Sequence, residues 1–436
     1  MTLETTKKPV EILDVLMGSG KTHAGLRYIE NMALEDPNAR WIFCTVFLDD
    51  IDERTGENPS VGHLWVSPTA MADSTKTDDL ITLLSSNKQL IAISHSLLLQ
   101  AYSDQIVRRL IESRGYSLFL DETLDLINPY DGVNLSEFQW HMDEGRLKVD
   151  NSNNGKVVWT DSSVNKYEEL SVDRLVRSDR VYAGINGKQI SLVNVEDANL
   201  LTMFSRVIIS TYSFEGTVMA AWMAIHKIAY IPCKDITCFR LTKKSDIRKN
   251  ITMINKYDKL FNRLSLSTAW YEKATAEQFA LINRTIRNIG DSTGCKGNPQ
   301  LLAYTMPRSV LGTQNKKRAI QPPGYPHTKC LTDAQGKEIE GTKDKVKSAH
   351  INCNARASND YAHKRVMIHV YDRHPNIMVA NFLFCHGIPL NREVFAVNEL
   401  VQWIWRSAIR NGEPIQVAIL SQRMREYFTR WINSDD

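Results

Sequence analysis

Length, composition and charge narrow the class of protein before any motif is considered. The chain has 436 residues, of which 43% are hydrophobic and 24% charged, with a formal net charge of +3. A chain of this length exceeds the size at which one hydrophobic core keeps growing, so two domains are expected, and the composition excludes a disordered or fibrous protein. The net charge is too small to indicate a nucleic-acid partner by itself, so any basic surface is local.

Export and membrane insertion are not predicted. No run approaches the roughly 20 apolar residues of a membrane-spanning helix. Residues 1–14 lack the apolar stretch of a signal peptide. The seven cysteines are scattered without a CxxC pair, which suits a reducing compartment. We therefore expect a cytoplasmic protein that does not contact a membrane.

The first half of the chain alternates short apolar runs with helical patterns, as a parallel sheet with crossover helices does. We predict an α/β domain over residues 1–244. Its predicted strands are Glu11–Leu16, Arg40–Thr45, Leu90–Ser94, Ser117–Leu120 and Arg206–Ser210, and its predicted helices include Thr22–Leu34 and Ser96–Ser113.

Residues from about 128 to 198 break this alternation. Asn153-Asn154-Gly155 and Asn186-Gly187 each lie between two segments with a strand pattern. Because Asn-Gly tolerates the positive φ angles of a type I′ turn, both places predict β-hairpins. We infer a small β-rich insertion in the first domain.

A second α/β domain is predicted over residues 245–436. A segment from about 308 to 347 is rich in Gly, Pro and Lys and predicts a long, exposed, basic loop. The other predicted elements are an amphipathic helix, Thr275–Ile289, and strands Gln300–Thr305, His350–Cys353, Val366–Tyr371 and Gln416–Leu420.

A glycine-rich motif, Met17-Gly18-Ser19-Gly20-Lys21-Thr22, directly follows the first predicted strand and precedes the first helix. This context favours a phosphate-binding loop over a chance surface turn. Gly18, Ser19 and Gly20 would wrap their N–H groups around phosphate oxygens of ATP. Lys21 would neutralise phosphate charge and the Thr22 hydroxyl would ligate Mg²⁺.

An acidic pair, Asp121-Glu122, ends the apolar run that begins at Ser117. By itself such a pair is a frequent solvated helix start. With a phosphate-binding loop upstream, we predict instead that this strand lies beside the strand before the loop. Asp121 would then hold Mg²⁺ and Glu122 would polarise the attacking water.

Near the C-terminus, Gln402, Arg406 and Arg410 recur every four residues in a helical pattern, which predicts that they share one helix face. Guanidinium groups are well suited to bidentate contact with a γ-phosphate and with the charge that develops during its transfer. The alternative is a salt-bridged surface face.

With these motifs in order, the chain resembles superfamily 2 helicase-like proteins encoded by bacteriophages, which are distantly similar to viral origin-binding helicases. The resemblance covers most of the chain. The specific motifs are the loop ending in Gly20-Lys21-Thr22, Asp121-Glu122-Thr123 as the DExx motif, and Gln402 to Arg410 as motif VI. Ser210–Gly216 and Cys353–Tyr361 resemble motifs III and V, and the matches that are weak without the others are Phe43–Leu48, Ser94–Leu97 and Ala303–Thr305.

The resemblance implies two RecA-like P-loop domains that hydrolyse ATP as they open and close on nucleic acid. The substrate is most often DNA, single-stranded or forked, bound through its phosphates. The setting would be phage DNA replication or recombination in the host cytoplasm, with proteins of those processes as further partners. The residues that it assigns to nucleic-acid contact are Thr45, Ser94, Thr211, Thr305 and Asn359.

Two features leave roles open. Trp405 stands where motif VI usually has Gly, and Arg410 follows Arg406 by four residues rather than three, so either arginine could be the arginine finger. The loop of residues 308–347 either extends the contact with nucleic acid or is only solvated; its basic residues are Lys316, Lys317, Arg318, Lys343, Lys345 and Lys347.

Alternative functions are a terminase-like DNA-packaging ATPase, a P-loop kinase, and an interaction protein that uses nucleotide binding as a switch.

Overall fold

The computed structural model describes residues 9–46, 65–70, 74–130, 134–160, 180–187, 189–238, 243–311, 318–325, 349–353 and 360–434. The chain forms two compact units. The first comprises Met1–Leu241 with Pro375–Asn391, and the second Thr242–His374 with Arg392–Asp436. The segment Pro375–Asn391 therefore belongs to the first unit, although the sequence placed it in a second domain of residues 245–436. No helix in the described ranges combines the length and apolarity needed to cross a membrane.

The described strands, in chain order, are β1 (Val10–Asp14), β2 (Trp41–Thr45), β3 (Trp65–Val66), β4 (Leu90–Ser94), β5 (Ser117–Asp121), β6 (Ile127–Pro129), β7 (Leu147–Asp150), β8 (Lys156–Trp159), β9 (Val181–Asn186), β10 (Gln189–Val195), β11 (Val207–Thr211), β12 (Tyr230–Pro232), β13 (Ile251–Met253), β14 (Leu302–Thr305), β15 (Val366–His369) and β16 (Ile415–Ile419). The described α-helices are Lys21–Glu35, Lys76–Ser85, His95–Ala101, Gln105–Arg114, Leu135–Asp143, Asn199–Thr202, Val218–Ile225, Lys244–Lys249, Asp258–Phe261, Thr268–Lys273, Ala276–Ser292, Ile377–Cys385, Arg392–Ile404 and Gln422–Asn433.

The first unit is built on a seven-stranded sheet in the order β12-β1-β11-β5-β2-β4-β3, in which every pairing is parallel. Its central strands are apolar on both faces, since helices cover both sides of a parallel sheet. All five predicted strands are present to within two residues. One expectation is wrong: β5, which ends at Asp121, does not lie beside β1, because β11 lies between them.

The carboxyl ends of these strands bring the motif residues to one edge of the sheet. Leu13 pairs with Ser210, and Ser210 pairs with Asp121. On the other side of β5, Cys44 pairs with Leu120. The predicted helix Ser96–Ser113 is instead two helices, because the Asp104 carboxylate accepts the Ile106 N–H (2.7 Å) and caps a new one.

The predicted β-rich insertion is present as an antiparallel sheet in the order β6-β10-β9-β8-β7. Both predicted hairpins form. In the first, Asn154 and Gly155 have φ angles of 52° and 75°, the left-handed conformation expected there. In the second, Asn186 still pairs with Gln189, so Asn186 belongs to the strand, whereas the prediction placed it in the turn.

Helix Ile377–Cys385 packs on the insertion. Phe382 is fully buried and its ring meets that of Tyr182 edge-on at 6.3 Å. The approach is close because Gly184 has no side chain: a Cβ there would lie 2.8 Å from Phe382 Cα. The imidazole Nε2 of His386 lies 2.7 Å from the Asn154 carbonyl oxygen. The helix thus completes the first unit.

The second unit has a parallel four-stranded sheet in the order β13-β16-β15-β14. The predicted amphipathic helix is Ala276–Ser292, with Thr275 and Gln278 forming a capping box. The predicted strand His350–Cys353 is wrong, because within the described residues 349–353 the structure has an isolated bridge, Tyr304 to His350, and no strand. Two α/β units with parallel sheets flanked by helices, plus the insertion, agree with the predicted fold class of two RecA-like domains.

Candidate nucleotide site

The glycine-rich loop has the backbone shape that phosphate binding requires. Gly18 and Gly20 have φ angles of 78° and 76°, which a residue with a Cβ adopts at a cost of roughly 1 kcal/mol. Gly20 is the N-cap of helix Lys21–Glu35. Ser19 is buried, and its hydroxyl donates to the Leu16 carbonyl oxygen at 2.8 Å. The loop therefore wraps over the positive end of the helix.

The hydroxyl of Thr22 joins this helix to the acidic pair. It lies 2.9 Å and 3.0 Å from the two carboxylate oxygens of Asp121. Mg²⁺ prefers hard oxygen ligands and usually takes only one or two from protein, with phosphates and water supplying the rest. Among the described residues no group of three or more His, Cys, Asp or Glu could hold a metal ion. The Thr22 and Asp121 oxygens fit Mg²⁺ bound together with a nucleotide.

Lys21 lies among three carboxylates. Its ammonium group donates to the Val15 carbonyl oxygen at 2.9 Å. Burial lowers the pKa of Lys21, and the negative charges of Glu122, Asp121 and Asp14 act in the opposite direction. A cation that is poorly hydrated and close to the loop is suited to binding phosphate oxygens.

Glu122 is held in an unusual backbone conformation, with a φ angle of 69°. Its N–H donates to the Ser210 carbonyl oxygen at 2.8 Å. The Thr211 hydroxyl lies 3.4 Å from a Glu122 carboxylate oxygen, and the His95 imidazole Nε2 lies 3.0 Å from the Asp121 carbonyl oxygen. Strain of this kind persists only where the surroundings hold it, and it is commonest at functional sites.

Asp14 belongs to this site but was not predicted. Its carboxylate accepts the N–H groups of Ser213 (2.6 Å) and Phe214 (2.8 Å), so the end of β1 is tied to the turn after β11. The signal for Asp14 is the same as for Asp121, an acidic residue that ends an apolar strand, and it could have been found in that way.

Four of the residues assigned to nucleic-acid contact are described, and they lie at the carboxyl edges of the two sheets with their side chains buried. Thr45 and Thr305 are 0% exposed and Thr211 is 1% exposed. The Ser94 hydroxyl accepts the Leu97 N–H at 3.2 Å and caps the helix that begins at His95. Asn359 lies outside the described residues. Their contacts with nucleic acid remain predictions.

The segment from Gln402 to Arg410 does not form one helix. The prediction that Gln402, Arg406 and Arg410 share one helix face is therefore wrong. Helix Arg392–Ile404 ends before Arg406, and a separate 3₁₀ turn spans Ala408–Asn411. The reason is Ser407, whose hydroxyl donates to the Ile404 carbonyl oxygen (2.7 Å) and accepts from the Ile409 N–H (3.5 Å). The chain therefore leaves the helix direction between the two arginines.

The arginines also differ in exposure. Arg406 is buried, with 7% of its surface exposed, whereas Arg410 is partly exposed. Burial lowers the pKa of Arg410. Gln402 donates its amide to the Asn398 side-chain oxygen at 2.7 Å.

The basic loop falls largely outside the described residues, including Lys316, Lys317, Lys343, Lys345 and Lys347. Arg318 is described, and its guanidinium donates to the carbonyl oxygens of Glu272 (2.9 Å) and Ala274 (2.6 Å). Arg318 therefore has a structural contact within the second unit.

This chain is similar to a family model, to a prophage-derived protein and to solved structures. A family model described as the YonV C-terminal Rossmann-like domain matches residues 244–432, which is less than half of the chain. The SPbeta prophage-derived uncharacterized protein YonV of Bacillus subtilis (strain 168) is 27% identical over 451 residues, covering 98% of this chain and 99% of its own length.

One of these solved structures is the DUF1998 helicase MrfA bound to DNA and AMPPNP. It shares 12% identity with this chain at a TM-score of 0.37. The alignment covers 97% of this chain but only 49% of the helicase chain, so this chain spans about half of its length.

Proposed function

We propose that this protein is a nucleic-acid-dependent ATPase that works as a helicase or translocase. The observation that carries the proposal is the contact of the Thr22 hydroxyl with both carboxylate oxygens of Asp121, at 2.9 and 3.0 Å. These residues are 99 positions apart and belong to two separately predicted motifs. Their meeting beside the left-handed Gly18 and Gly20 supports a site for Mg²⁺ and a nucleoside triphosphate.

In this proposal each residue of the first unit has a defined role. Backbone N–H groups of Gly18 to Gly20 and the Lys21 ammonium group bind the β- and γ-phosphates. Thr22 and Asp121 would hold Mg²⁺, which when bound neutralises phosphate charge. Glu122 orients and polarises the attacking water. Asp14 positions the turn after β11 against the loop strand.

The arginines of the second unit complete the proposed reaction by stabilising charge on the transferred phosphate. Of the two, we propose Arg410 as the arginine finger. Arg410 is partly exposed, whereas Arg406 is buried and is better suited to supporting the segment that carries Arg410.

The proposed setting is phage DNA replication or recombination in the host cytoplasm. It is supported by a prophage-derived relative that aligns with this chain over nearly its whole length. Single-stranded or forked DNA is the proposed partner, gripped through phosphates and therefore without strong sequence preference.

The experiment is a steady-state ATPase assay with and without single-stranded DNA, duplex DNA and RNA. The unsubstituted protein should hydrolyse ATP faster with nucleic acid. Lys21→Ala should lower kcat by at least about 10²-fold, because a charge aimed at the transferred phosphate is lost. Lys88→Ala, an exposed lysine of the same unit, is the control and should behave as the unsubstituted protein.

Two outcomes would contradict the proposal. One is an ATPase rate that no DNA or RNA changes, together with phosphate transfer to a small acceptor. The other is normal turnover by the Lys21→Ala variant.

A further inference from the structure

The segment Ile254–Ala274, here called the edge segment, follows β13 and lies over the carboxyl edge of the second sheet. Three contacts fix it to the residues just after β15. The Asp372 N–H donates to the Leu266 carbonyl oxygen (2.9 Å). The Tyr271 hydroxyl donates to the Val370 carbonyl oxygen (2.6 Å). The hydroxyls of Thr268 and Tyr371 lie 2.8 Å apart.

The edge segment contributes to the core that closes this edge. Leu266 and Tyr271 are buried in one hydrophobic cluster with Met306, the residue that follows Thr305. Thr305 itself is 0% exposed. A phosphate backbone that approaches this edge therefore cannot contact the buried Thr305, whereas the outer surface of the edge segment is accessible to it.

That outer surface is basic. Lys256, Lys259 and Arg263 are exposed, and none of them has a carboxylate partner among the residues that the structure describes. Asp258 lies between them in sequence but is paired with Arg425, at 3.1 Å. Lys259 lies in the helical turn Asp258–Phe261, and Lys256 and Arg263 lie two residues before and two residues after that turn, so the three cations fall within eight consecutive residues.

We propose that Lys256, Lys259 and Arg263 bind the phosphates of single-stranded DNA at the carboxyl edge of the second unit, in place of the buried Thr305. The proposal rests on the proposed function, from which it takes the ligand. Exposed lysine and arginine side chains release counterions when they contact phosphates, and such contacts carry no sequence preference.

The test compares two triple variants with the unsubstituted full-length protein. The first is Lys256→Ala/Lys259→Ala/Arg263→Ala. The control, Lys249→Ala/Arg284→Ala/Lys296→Ala, removes the same charge from exposed positions of the same unit; Lys249 and Lys296 lie before β13 and β14, near their amino ends. Affinity for a fluorescent oligothymidylate is measured over a range of salt concentrations, and circular dichroism checks that both variants fold.

The edge variant should lose affinity, and the loss should depend on salt. Each phosphate contact to a single strand contributes about 0.7 to the slope of log affinity against log salt, so three contacts contribute about 2. The edge variant should therefore have a slope about 2 smaller and bind on the order of 100-fold more weakly at ~0.1 M salt. The control should differ little, and Lys256→Arg/Lys259→Arg should keep most of the affinity.

The outcomes separate this inference from the function on which it rests. If the unsubstituted protein binds the oligonucleotide and the edge variant binds it as the control does, the inference is wrong and the proposed function stands. If the unsubstituted protein binds no DNA at any salt concentration, the inference is wrong, and the proposed function fails as well if no DNA or RNA changes the ATPase rate.

Discussion

The backbone of Glu122 combines a proposed catalytic carboxylate with a left-handed φ angle of 69°. A residue with a Cβ holds that conformation at a cost of roughly 1 kcal/mol. The N–H bond from Glu122 to the Ser210 carbonyl oxygen and the nearby Thr211 hydroxyl keep it there. The backbone strain that orients the Glu122 carboxylate therefore lowers the stability of the fold.

Glu122→Gly separates the two effects. Because glycine adopts this φ angle freely, the free energy of unfolding should stay the same or rise by up to about 1 kcal/mol. Turnover of ATP should fall by about 10²–10⁴-fold, since the base is lost. Chemical denaturation and the ATPase assay measure the two quantities.

Glu122→Gln is the matched control. It keeps the Cβ and the strain, so it should lose turnover to a similar degree without gaining stability. A glycine variant that is clearly less stable than the glutamine variant would show that the side chain, rather than the backbone, sets the stability at this position.

At the level of single residues, the sequence predicted those parts of the site that follow a fixed spacing. Gly18, Lys21 and Thr22 are defined by the loop motif, and the contact of Thr22 with Asp121 follows once their strands end at the same edge. Asp14 was missed because the predicted strand ran to Leu16, which placed Asp14 inside it, whereas β1 ends at Asp14. Its contact with a turn some 200 residues later in the chain leaves no local pattern.

At the level of elements, the central strands were predictable because they are short, apolar on both faces and separated by helical patterns. The order of the strands in the sheet was not predictable, because parallel strands are joined by long crossovers. Two strands that follow one another in the chain therefore need not be neighbours in the sheet. The predicted helix continued to Arg410, whereas the helix in the structure ends at Ile404, because the side chain of Ser407 competes with the helical hydrogen bonds.

The contact between β9 and helix Ile377–Cys385 gives a prediction about an element pair. Gly184→Ala would place a Cβ 2.8 Å from Phe382 Cα, a backbone atom that cannot rotate away. Overpacking of this kind should lower the free energy of unfolding by about 1–3 kcal/mol. Chemical denaturation, with proteolysis of the helix as a second readout, measures the effect.

Gly297→Ala is the control, because a Cβ added there meets no heavy atom within 4 Å. Equal stability of the Gly184→Ala and Gly297→Ala variants would mean that the helix can withdraw from the insertion at little cost.

At the level of the whole molecule, the sequence predicted two α/β halves but not that Pro375–Asn391 joins the first unit. The apolar run that forms helix Ile377–Cys385 shows only that the helix is covered, and not by which sheet. Its covering surface is contributed by β9 and β10, almost 200 residues earlier in the chain.

This division predicts how fragments behave. Residues 1–243 alone should expose the surface that Val379, Phe382 and Leu383 cover, and each such buried side chain contributes about 1.5–3 kcal/mol. The fragment should bind a hydrophobic dye and aggregate. Adding residues 375–391 through a flexible linker should restore a cooperative thermal transition.

The same fusion with Phe382→Asp is the control and should behave as residues 1–243 do. A fragment 1–243 that melts cooperatively and binds no dye would show that the helix is dispensable for the first unit.

The late position of Phe382 in the chain has a consequence during synthesis. A ribosome that has made the first 241 residues has produced nearly all of the first unit, yet the covering helix is still more than 130 codons away. The first unit is therefore finished only after the four-stranded sheet of the second has been largely translated. Until the helix is made, the apolar surface of the insertion that it covers stays exposed in the nascent chain.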